Sequence, residues 1–299
     1  MTAVPDAFDR HRRLLFSVAY QMLGSVADAE DVVQDTWLRW SAADRSEVTD
    51  ERAYLVQITA RLALDRLSSA QSRRESYVGP WLPEPLLTGA PPVAAAPRDP
   101  EPEEAVELGE QVSLALLVVL ETLSPAERAV FVLREVFAMS VAEVAAALGR
   151  SEAAVRQMAH RAREHVQARQ PRFDTDKRAQ REVTERFFDA VGGGDLDALL
   201  EALAPDVVLI SDGGGRTRAA LRPIIGADKV ARWLVAIARQ GASIPDLRME
   251  VTEVNGWPAI VGWSGTDPFG SISLAVADGR IEQVLVVVNP DKLTGLVLP

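Results

Sequence analysis

Four polar side chains between positions 156 and 161 have the chemistry needed to contact DNA. Arg156 and Gln157 can form hydrogen bonds with the edges of guanine and adenine. His160 and Arg161 suit phosphate oxygens. On a helix with about 100° per residue they lie opposite an apolar side, which consists of Val155, Met158, Ala159, Ala162 and Val166. The pattern predicts a helix with one face for a protein core and one for nucleic acid.

Cap residues place this face on the second helix of a helix-turn-helix unit. Three helices are predicted here, each with a serine cap, over 125–137, 141–148 and 152–169. Gly149 ends the middle helix, and Ser151 begins the next after a three-residue turn. The small Ala153 would let the backbone approach a groove. The alternative interpretation is a solvated face on a helical domain that binds another protein.

A second polar stripe lies in the segment "SVADAEDVVQDTWLRW" (25–40). Helical spacing puts acidic or amide side chains on one face, at Asp28, Asp31, Gln34 and Asp35. Trp37 and Leu38 are expected on or near the buried side. An acidic stripe is usually only solvated, but it can also dock a basic protein partner.

Composition divides the chain into three blocks joined by a proline-rich segment. Residues 6–75 and 104–172 have apolar residues at helical spacing. Between them, residues 79–103 contain eight prolines, which remove backbone donors and exclude a continuing helix or sheet. Residues 89–102 are typical of a semi-rigid linker. The tryptophan and leucines of "WLPEPLL" (81–87) are instead expected to pack on a domain surface.

Residues 176–299 are predicted to form an α+β domain. Helices are expected over 177–191, 195–203 and 227–240. Short β-rich runs cover 206–212, 247–254, 258–263, 271–277 and 281–288. Asp278-Gly279 joins the last two runs as a hairpin turn. Helices ahead of a curved antiparallel sheet indicate this fold class.

Composition also limits the class of function. The chain has 299 residues, a formal net charge of −11 and no cysteine, which excludes disulfides and thiolate metal sites. No apolar run reaches the roughly 20 residues of a membrane span, and the N-terminus lacks signal-peptide features. We therefore expect a cytoplasmic protein with no membrane partner. A chain this acidic is expected to bind bare DNA poorly, so another molecule must supply most of the phosphate contacts.

Two stretches together resemble the conserved regions of the extracytoplasmic-function (ECF) sigma factors of bacterial RNA polymerase. The first is "FSVAYQMLGSVADAEDVVQDTWLRW" with "ERAYLVQITARLALDRL" (51–67). The second is "LSPAERAVFVLREVFAMSVAEVAAALGRSEAAVRQMAHRARE" (123–164). The resemblance implies sigma region 2 over 6–75 and sigma region 4 over 104–172. It also implies core RNA polymerase and promoter DNA as partners, with the polymerase providing affinity that the acidic chain lacks.

The resemblance implies roles for individual residues. The polymerase clamp would contact the acidic stripe of Asp28, Asp31, Gln34 and Asp35. The melted −10 strand would be bound by the loop 41–50 and the helix after it, at Asp44, Arg45, Arg52, Tyr54 and Arg61. The −35 element would be read in the major groove by Ser151, Ala153, Arg156, Gln157, His160 and Arg161.

Three short motifs are similar to those of sigma factors with a C-terminal SnoaL-like domain, the sigma factor J type. They are "WLPEP" (Trp81, Leu82, Pro83, Glu84, Pro85), "DGGGR" (Asp212, Gly213, Gly214, Gly215, Arg216) and "NPDKL" (Asn289, Pro290, Asp291, Lys292, Leu293). The resemblance implies two all-α sigma domains, the linker 76–103, and an α+β domain of the nuclear-transport-factor-2-like (NTF2-like) fold over 176–299. That last domain would be a built-in regulator, in place of a separate membrane anti-sigma factor, and the three motifs would form its contacts.

Two other interpretations stay open. A pocket in the C-terminal domain could take an unknown small ligand or regulator, and the chain would then be a repressor that binds an operator without polymerase. A SnoaL-like enzyme would depend on carboxylates such as Asp206, Asp212 and Asp267, because the domain has neither histidine nor cysteine. "DGGGR" lacks the Lys-Ser/Thr pair and the helix of a P-loop. The sequence favours a non-enzymatic sigma factor with no metal and no tightly bound cofactor.

Overall fold

A computed structural model describes residues 7–44, 46, 48–74, 77–88, 112–169 and 176–297. These residues form two compact units. The first unit takes in the described residues of Met1–Ser76, Arg98–Val112 and Val119–Arg169, and the second takes in those of Tyr77–Pro97, Ser113–Val118 and Gln170–Pro299. The expectations for Arg45 and for the linker beyond Thr88 fall outside the described residues.

The first unit begins with three helices, α1 (Ala7–Leu23), α2 (Val26–Ala42) and α3 (Glu51–Arg74). Gly24, at φ +69°, ends α1, and Ser25 caps α2 by accepting a hydrogen bond from the Asp28 amide. The three helices pack around buried side chains that include Leu15, Val18, Trp40 and Leu55. This confirms the predicted helical block.

The helix-turn-helix unit also forms as predicted. Helix α4 (Leu114–Leu120) crosses the boundary between the two units. The helices of the helix-turn-helix unit are α5 (Pro125–Phe131), α6 (Val141–Leu148) and α7 (Glu152–Arg169). Ser140 and Glu143 form both hydrogen bonds of a capping box on α6. Gly149 adopts φ +62° after α6, where a residue with a Cβ would be strained.

One helix ends earlier than its sequence indicates. The expected helix over 125–137 is α-helical only to Phe131 and then continues as a wider π-helical turn, Val132–Val136. Arg134 in this turn donates a hydrogen bond to the Met139 carbonyl, and Ala138 adopts φ +50°. The chain thus changes direction before α6 without a glycine, so the sequence contained no stop signal for the helix.

The second unit is an α+β domain of the NTF2-like fold. Its helices are α8 (Lys177–Gly193), α9 (Leu196–Ala202) and α10 (Ala227–Gly241). Its strands are β1 (Leu203–Asp212), β2 (Ile224–Ile225), β3 (Leu247–Val254), β4 (Trp257–Ser264), β5 (Asp267–Ala277) and β6 (Arg280–Val287). They form one sheet in the order β2-β1-β6-β5-β4-β3, in which only the β1–β6 pair is parallel.

Two tight turns set the register of this sheet. Asp278-Gly279 and Asn255-Gly256 both have two successive residues at positive φ, as hairpin turns between twisted strands require. The first turn was predicted from the sequence, and the second was not. Leu203 was predicted to end a helix, but it pairs with Ile281 as the first residue of β1.

The core between the helices and the sheet is apolar. Fully buried members include Phe187, Val207, Leu234, Ile281 and Val284, and the other buried members of the cluster are also hydrophobic. Such a core stabilises the domain by removing apolar surface from water. None of the buried members of this core carries a carboxylate.

Candidate functional site

The predicted −35 residues lie together on the exposed side of α7. Ser151, Ala153, Arg156, Gln157, His160 and Arg161 are all exposed, and we call this set the α7 face. On the opposite side, Val155, Ala159, Ala162 and Val166 are buried, and Met158 is half-buried. Ser151 accepts a hydrogen bond from the Ala154 amide, so it caps α7 as expected. The arrangement presents donors and acceptors at the end of the helix that would enter a groove.

Two acidic side chains of the stripe on α2 already form ion pairs within the protein. Asp28 and Asp31 both form ion pairs with Arg66 of α3, with Arg66 Nε 2.7 Å from Asp28 Oδ1. Gln34 and Asp35 are exposed. The surface of the stripe therefore includes the Arg66 guanidinium beside the acidic side chains.

The prediction for Trp37 and Leu38 was wrong. Their side chains are 46% and 50% exposed, beside Gln34 and Asp35 on the outer side of α2. The buried positions of α2 are Ala29, Val32, Val33, Thr36 and Trp40. The spacing 29-33-36-40 is the signal that could have identified the inner face. Two large apolar side chains in water are a typical feature of a protein-binding surface.

The residues expected at the −10 strand are found in two different environments. Asp44 and Arg52 are exposed, and Tyr54 is half-buried with its ring 6.0 Å from that of Trp40. The amide of Ser46 donates to Asp44 Oδ1, and this hydrogen bond lowers the pKa of that carboxyl. These groups border the loop after α2, as predicted.

Arg61, the last of the expected −10 residues, contacts the helix-turn-helix unit. Its Nε lies 2.7 Å from the Ala147 carbonyl oxygen and its Nη2 2.8 Å from that of Ala146. Gln57 Nε2 donates to the same Ala146 oxygen at 3.0 Å. These carbonyls belong to the last turn of α6, where no intrahelical donor is available. A cation there is also favoured by the helix dipole.

The first unit contains another contact between its helices, in which a buried arginine on α5 reaches α1. The Arg128 guanidinium has 1% side-chain exposure, donates to the Gln21 carbonyl at 3.2 and 3.4 Å, and forms an ion pair with Glu121. Burial lowers the pKa of Arg128 to about 9. The group therefore stays charged near neutral pH, and its partners offset the desolvation of that charge.

A buried ion pair joins two of the three motifs in the second unit. Lys292 Nζ lies 2.7 Å from Asp212 Oδ2, and the two side chains are 7% and 0% exposed. Nζ also donates to the Leu82 carbonyl at 2.5 Å. The ring centres of Trp81 and Tyr77 lie 4.0 and 4.8 Å from Nζ, within the range of cation–π attraction. The linker therefore supplies part of the lysine's surroundings.

The carboxylate of Asp212 has hydrogen-bond partners on both oxygens. The Tyr77 hydroxyl donates to Oδ1 at 2.6 Å, and the Leu82 amide donates to Oδ2 at 2.8 Å. The Gly214 amide also donates to Oδ1, and Asn289 Nδ2 donates to the Tyr77 hydroxyl oxygen at 2.8 Å. Burial and the nearby Asp212 charge raise the pKa of Tyr77. We call Tyr77, Trp81, Leu82, Asp212, Asn289 and Lys292 the linker cluster.

The glycines of "DGGGR" are required by close packing in this cluster. Gly214 has φ +57°, and a Cβ there would overlap the Asn289 side chain. A Cβ on Gly213 would overlap the Thr217 carbonyl, and one on Gly215 would lie 3.3 Å from Val78. The expected docking of the motif is therefore onto the linker and the C-terminal turn. Further out, Arg216 forms an exposed ion pair with Asp291 at 3.1 Å.

The rest of the described linker continues along the sheet. Pro83, Glu84 and Pro85 are buried. Leu87 bridges to Val254 at the end of β3, and the Thr88 amide donates to the Glu253 carbonyl at 2.8 Å. In the C-terminal turn, Leu293 is buried and Pro290 is exposed. The predicted packing of 81–87 is thus confirmed.

The structure does not bring the candidate catalytic carboxylates together. Asp206 and Asp267 are exposed on strands, and Asp212 is held by Lys292. Within the described ranges, no group of three or more His, Asp or Glu side chains could hold a metal ion. In the same part of the chain, none of the helices is both long and apolar enough to cross a membrane.

Comparisons with known proteins identify the family. The family model "Sigma-70 region 2" matches residues 7–73, "Sigma-70, region 4" matches 113–166, and "SnoaL-like domain" matches 184–284. The chain is 40% identical to the ECF RNA polymerase sigma factor SigJ of Mycobacterium tuberculosis, over 96% of this chain and 92% of that one. It is 33% identical to the probable ECF sigma factor SigI of the same species, over 98% and 96%.

A solved structure matches most of the chain. The crystal structure of M. tuberculosis SigJ superposes with a TM-score of 0.75 at 37% identity, covering 96% of this chain and 97% of that one. The order of helical region 2, helical region 4 and SnoaL-like domain is the order of the elements described above. The chain therefore belongs to the ECF sigma factors of bacterial RNA polymerase, among those that carry a C-terminal SnoaL-like domain.

Proposed function

We propose that three surfaces of the first unit carry promoter-specific initiation. The outer side of α2, with Asp28, Asp31, Gln34 and Asp35, binds core RNA polymerase. Asp44, Arg45, Arg52 and Tyr54 bind the −10 strand, joined by Arg61 once it is released from α6. The α7 face binds the −35 element, and the bond-forming chemistry is left to the polymerase in the cytoplasm. The observation that supports this best is that all six residues of the α7 face are exposed on a helix whose N-terminus is capped by Ser151.

Replacing Arg156 by alanine tests the −35 assignment. A lost base contact is expected to cost about 1–3 kcal/mol, which lowers −35-dependent transcription roughly 5- to 150-fold. Run-off transcription with core polymerase would measure this on templates with intact and altered −35 regions. Arg178→Ala is the matched control: Arg156 pairs with Glu152 one helical turn before it, and Arg178, on α8, pairs with Glu182 one turn after it. Unchanged promoter preference in Arg156→Ala would remove this residue from the site.

We infer that the SnoaL-like domain modulates the sigma regions in cis through the linker. The chain between regions 2 and 4 passes through the linker cluster, where Lys292 and Asp212 hold Leu82 by its carbonyl and its amide. Fixing residues 77–88 on the sheet domain shortens the free chain that connects the two regions. A connector with fewer free residues restricts how far and in which directions the regions can separate.

Run-off transcription tests this regulatory role. The full chain is compared with a chain that ends at Arg172, each mixed with core polymerase and a template from upstream of the gene's own neighbourhood. The amount of transcript is expected to differ between the two forms, and the direction of the difference gives the sign of the control. Equal transcript from both forms would contradict modulation in cis. If neither form gives a transcript and the full chain binds naked operator DNA, the result would favour a repressor.

A further inference from the structure

The cations near the α7 face have carboxylate neighbours. Arg156 lies 3.0 Å from Glu152, and Arg161 lies 2.9 Å from Glu127. The same pattern continues along the helix, because His160 Nε2 is 3.5 Å from Glu164 and Arg163 is 3.8 Å from Glu135. Two of these acids belong to α7 itself, and two come from α5 and the π-helical turn after it. The basic groups are thus paired before any DNA is present.

The acid on α5 is itself held in place. The Ser124 hydroxyl donates to Glu127 Oε2 at 2.7 Å while Arg161 Nε donates to Oε1. The Ser124 hydrogen bond, and to a lesser extent Arg161, lowers the pKa of the Glu127 carboxyl. Glu127 therefore remains ionised at neutral pH, next to Arg161, one of the residues proposed to contact DNA.

The balance between positive and negative side chains around the α7 face affects how strongly this surface binds DNA. Residues 104–172 carry eight arginines and nine glutamates, so region 4 as a whole has no excess of positive charge. A phosphate must displace a carboxylate from its arginine and then remain beside it. The approach of the two negative charges is unfavourable and only partly screened at separations shorter than the Debye length, which is about 8–10 Å near physiological salt.

We propose that Glu127, Glu135, Glu152 and Glu164 suppress sequence-independent DNA binding by the free sigma factor, so that contact with DNA depends on delivery by the polymerase. The proposal rests on the proposed function of the α7 face. Phosphate contacts supply non-specific affinity, whereas base contacts supply selectivity. Weakening the phosphate contacts alone lowers binding to random DNA and leaves base readout in place.

The test uses the full chain and a mixed-sequence DNA duplex of about 30 base pairs, long enough to cover several phosphate contacts. One variant, which we call the α7 variant, combines E127Q, E135Q, E152Q and E164Q. The E127Q change keeps the cap of α5, because Ser124 accepts a hydrogen bond from the backbone amide of residue 127 and the glutamine oxygen can still accept one from the Ser124 hydroxyl. The matched control combines E182Q, E185Q, E201Q and E250Q, which removes four exposed glutamates from the second unit. Both variants change the net charge equally.

Fluorescence anisotropy would give the dissociation constant at salt concentrations of about 50–200 mM, a range in which phosphate contacts dominate the change in affinity. The α7 variant is expected to bind about tenfold more tightly than the natural chain and to show a steeper salt dependence, since four local charges are removed. The control is expected to change less than about twofold, because none of its charges lies among the carboxylates that pair with the cations of α7. Equal gains in both variants would overturn the proposal in favour of overall charge, and so would no gain in the α7 variant.

A further pair of substitutions separates this proposal from the proposed function. Adding R156A and R161A to the α7 variant is expected to abolish the gain. A gain that persists would place the binding elsewhere and overturn the proposal, while the transcription result for Arg156→Ala alone would still report on the −35 site. Conversely, if Arg156→Ala leaves promoter preference unchanged, the −35 assignment fails whatever the anisotropy shows.

Discussion

Replacing Lys292 by methionine is expected to destabilise the second unit by about 3–5 kcal/mol, the usual effect of removing one partner of a buried ion pair. Asp212 would stay fully buried without its cation, and the Leu82 carbonyl would lose its donor. The linker should detach before the sheet unfolds. Hydrogen exchange of the Leu82 amide, which donates to Asp212, would report this directly.

Urea unfolding of the full chain measures the overall effect. Lys229→Met on α10 is the control, because Lys229 is exposed and its loss should change stability by no more than about 0.5 kcal/mol. Adding Asp212→Asn to Lys292→Met should restore part of the stability, since no buried charge would then lack a partner. An exchange rate at Leu82 equal to that of the natural chain would show that the ion pair does not hold the linker.

Replacing Arg128 by methionine is expected to destabilise the first unit by about 3 kcal/mol. The substitution removes both hydrogen bonds to the Gln21 carbonyl and the ion pair with Glu121. Glu121 retains 18% side-chain exposure and can be partly rehydrated, so the lower end of the usual range applies. The contact between α1 and α5 should loosen together with the loss of stability.

Hydrogen exchange of the α1 and α5 amides, together with urea unfolding, would check this expectation. Arg150→Met serves as the control, because Arg150 is exposed after α6. Combining Arg128→Met with Glu121→Gln should recover stability, because neither side chain then carries a charge. An unfolding free energy for Arg128→Met that matches the control would mean that the guanidinium contributes no net stability.

The sequence predicted those parts of the fold that depend on local signals. Serine caps and Gly149 gave the bounds of α6 and α7, because the groups that satisfy a helix end lie within a few residues of it. The pairing of Asp212 with Lys292 had no local signal, since the two residues are 80 positions apart. The motifs marked both residues as contacts, but the buried charge became visible only once the chain was folded.

The exposed face of α2 shows a different limit. Trp37 and Leu38 are apolar, and a periodicity argument places apolar residues inside. They lie outside because a set of side chains ending in Trp40 already fills the inner face. An apolar residue that functions in binding looks the same in sequence as one that stabilises a core. The chain belongs to the ECF sigma factors, and its proposed function depends on such surfaces.

The contact of Arg61 and Gln57 with α6 has a consequence for the geometry of promoter binding. Two DNA elements that are bound at the same time must match the separation of the two protein surfaces that bind them, at about 3.4 Å of duplex per base pair. While α3 holds the last turn of α6, the separation between the proposed −10 and −35 surfaces is fixed. If promoter binding needs a different separation, the free energy needed to break this contact is subtracted from the affinity for the promoter.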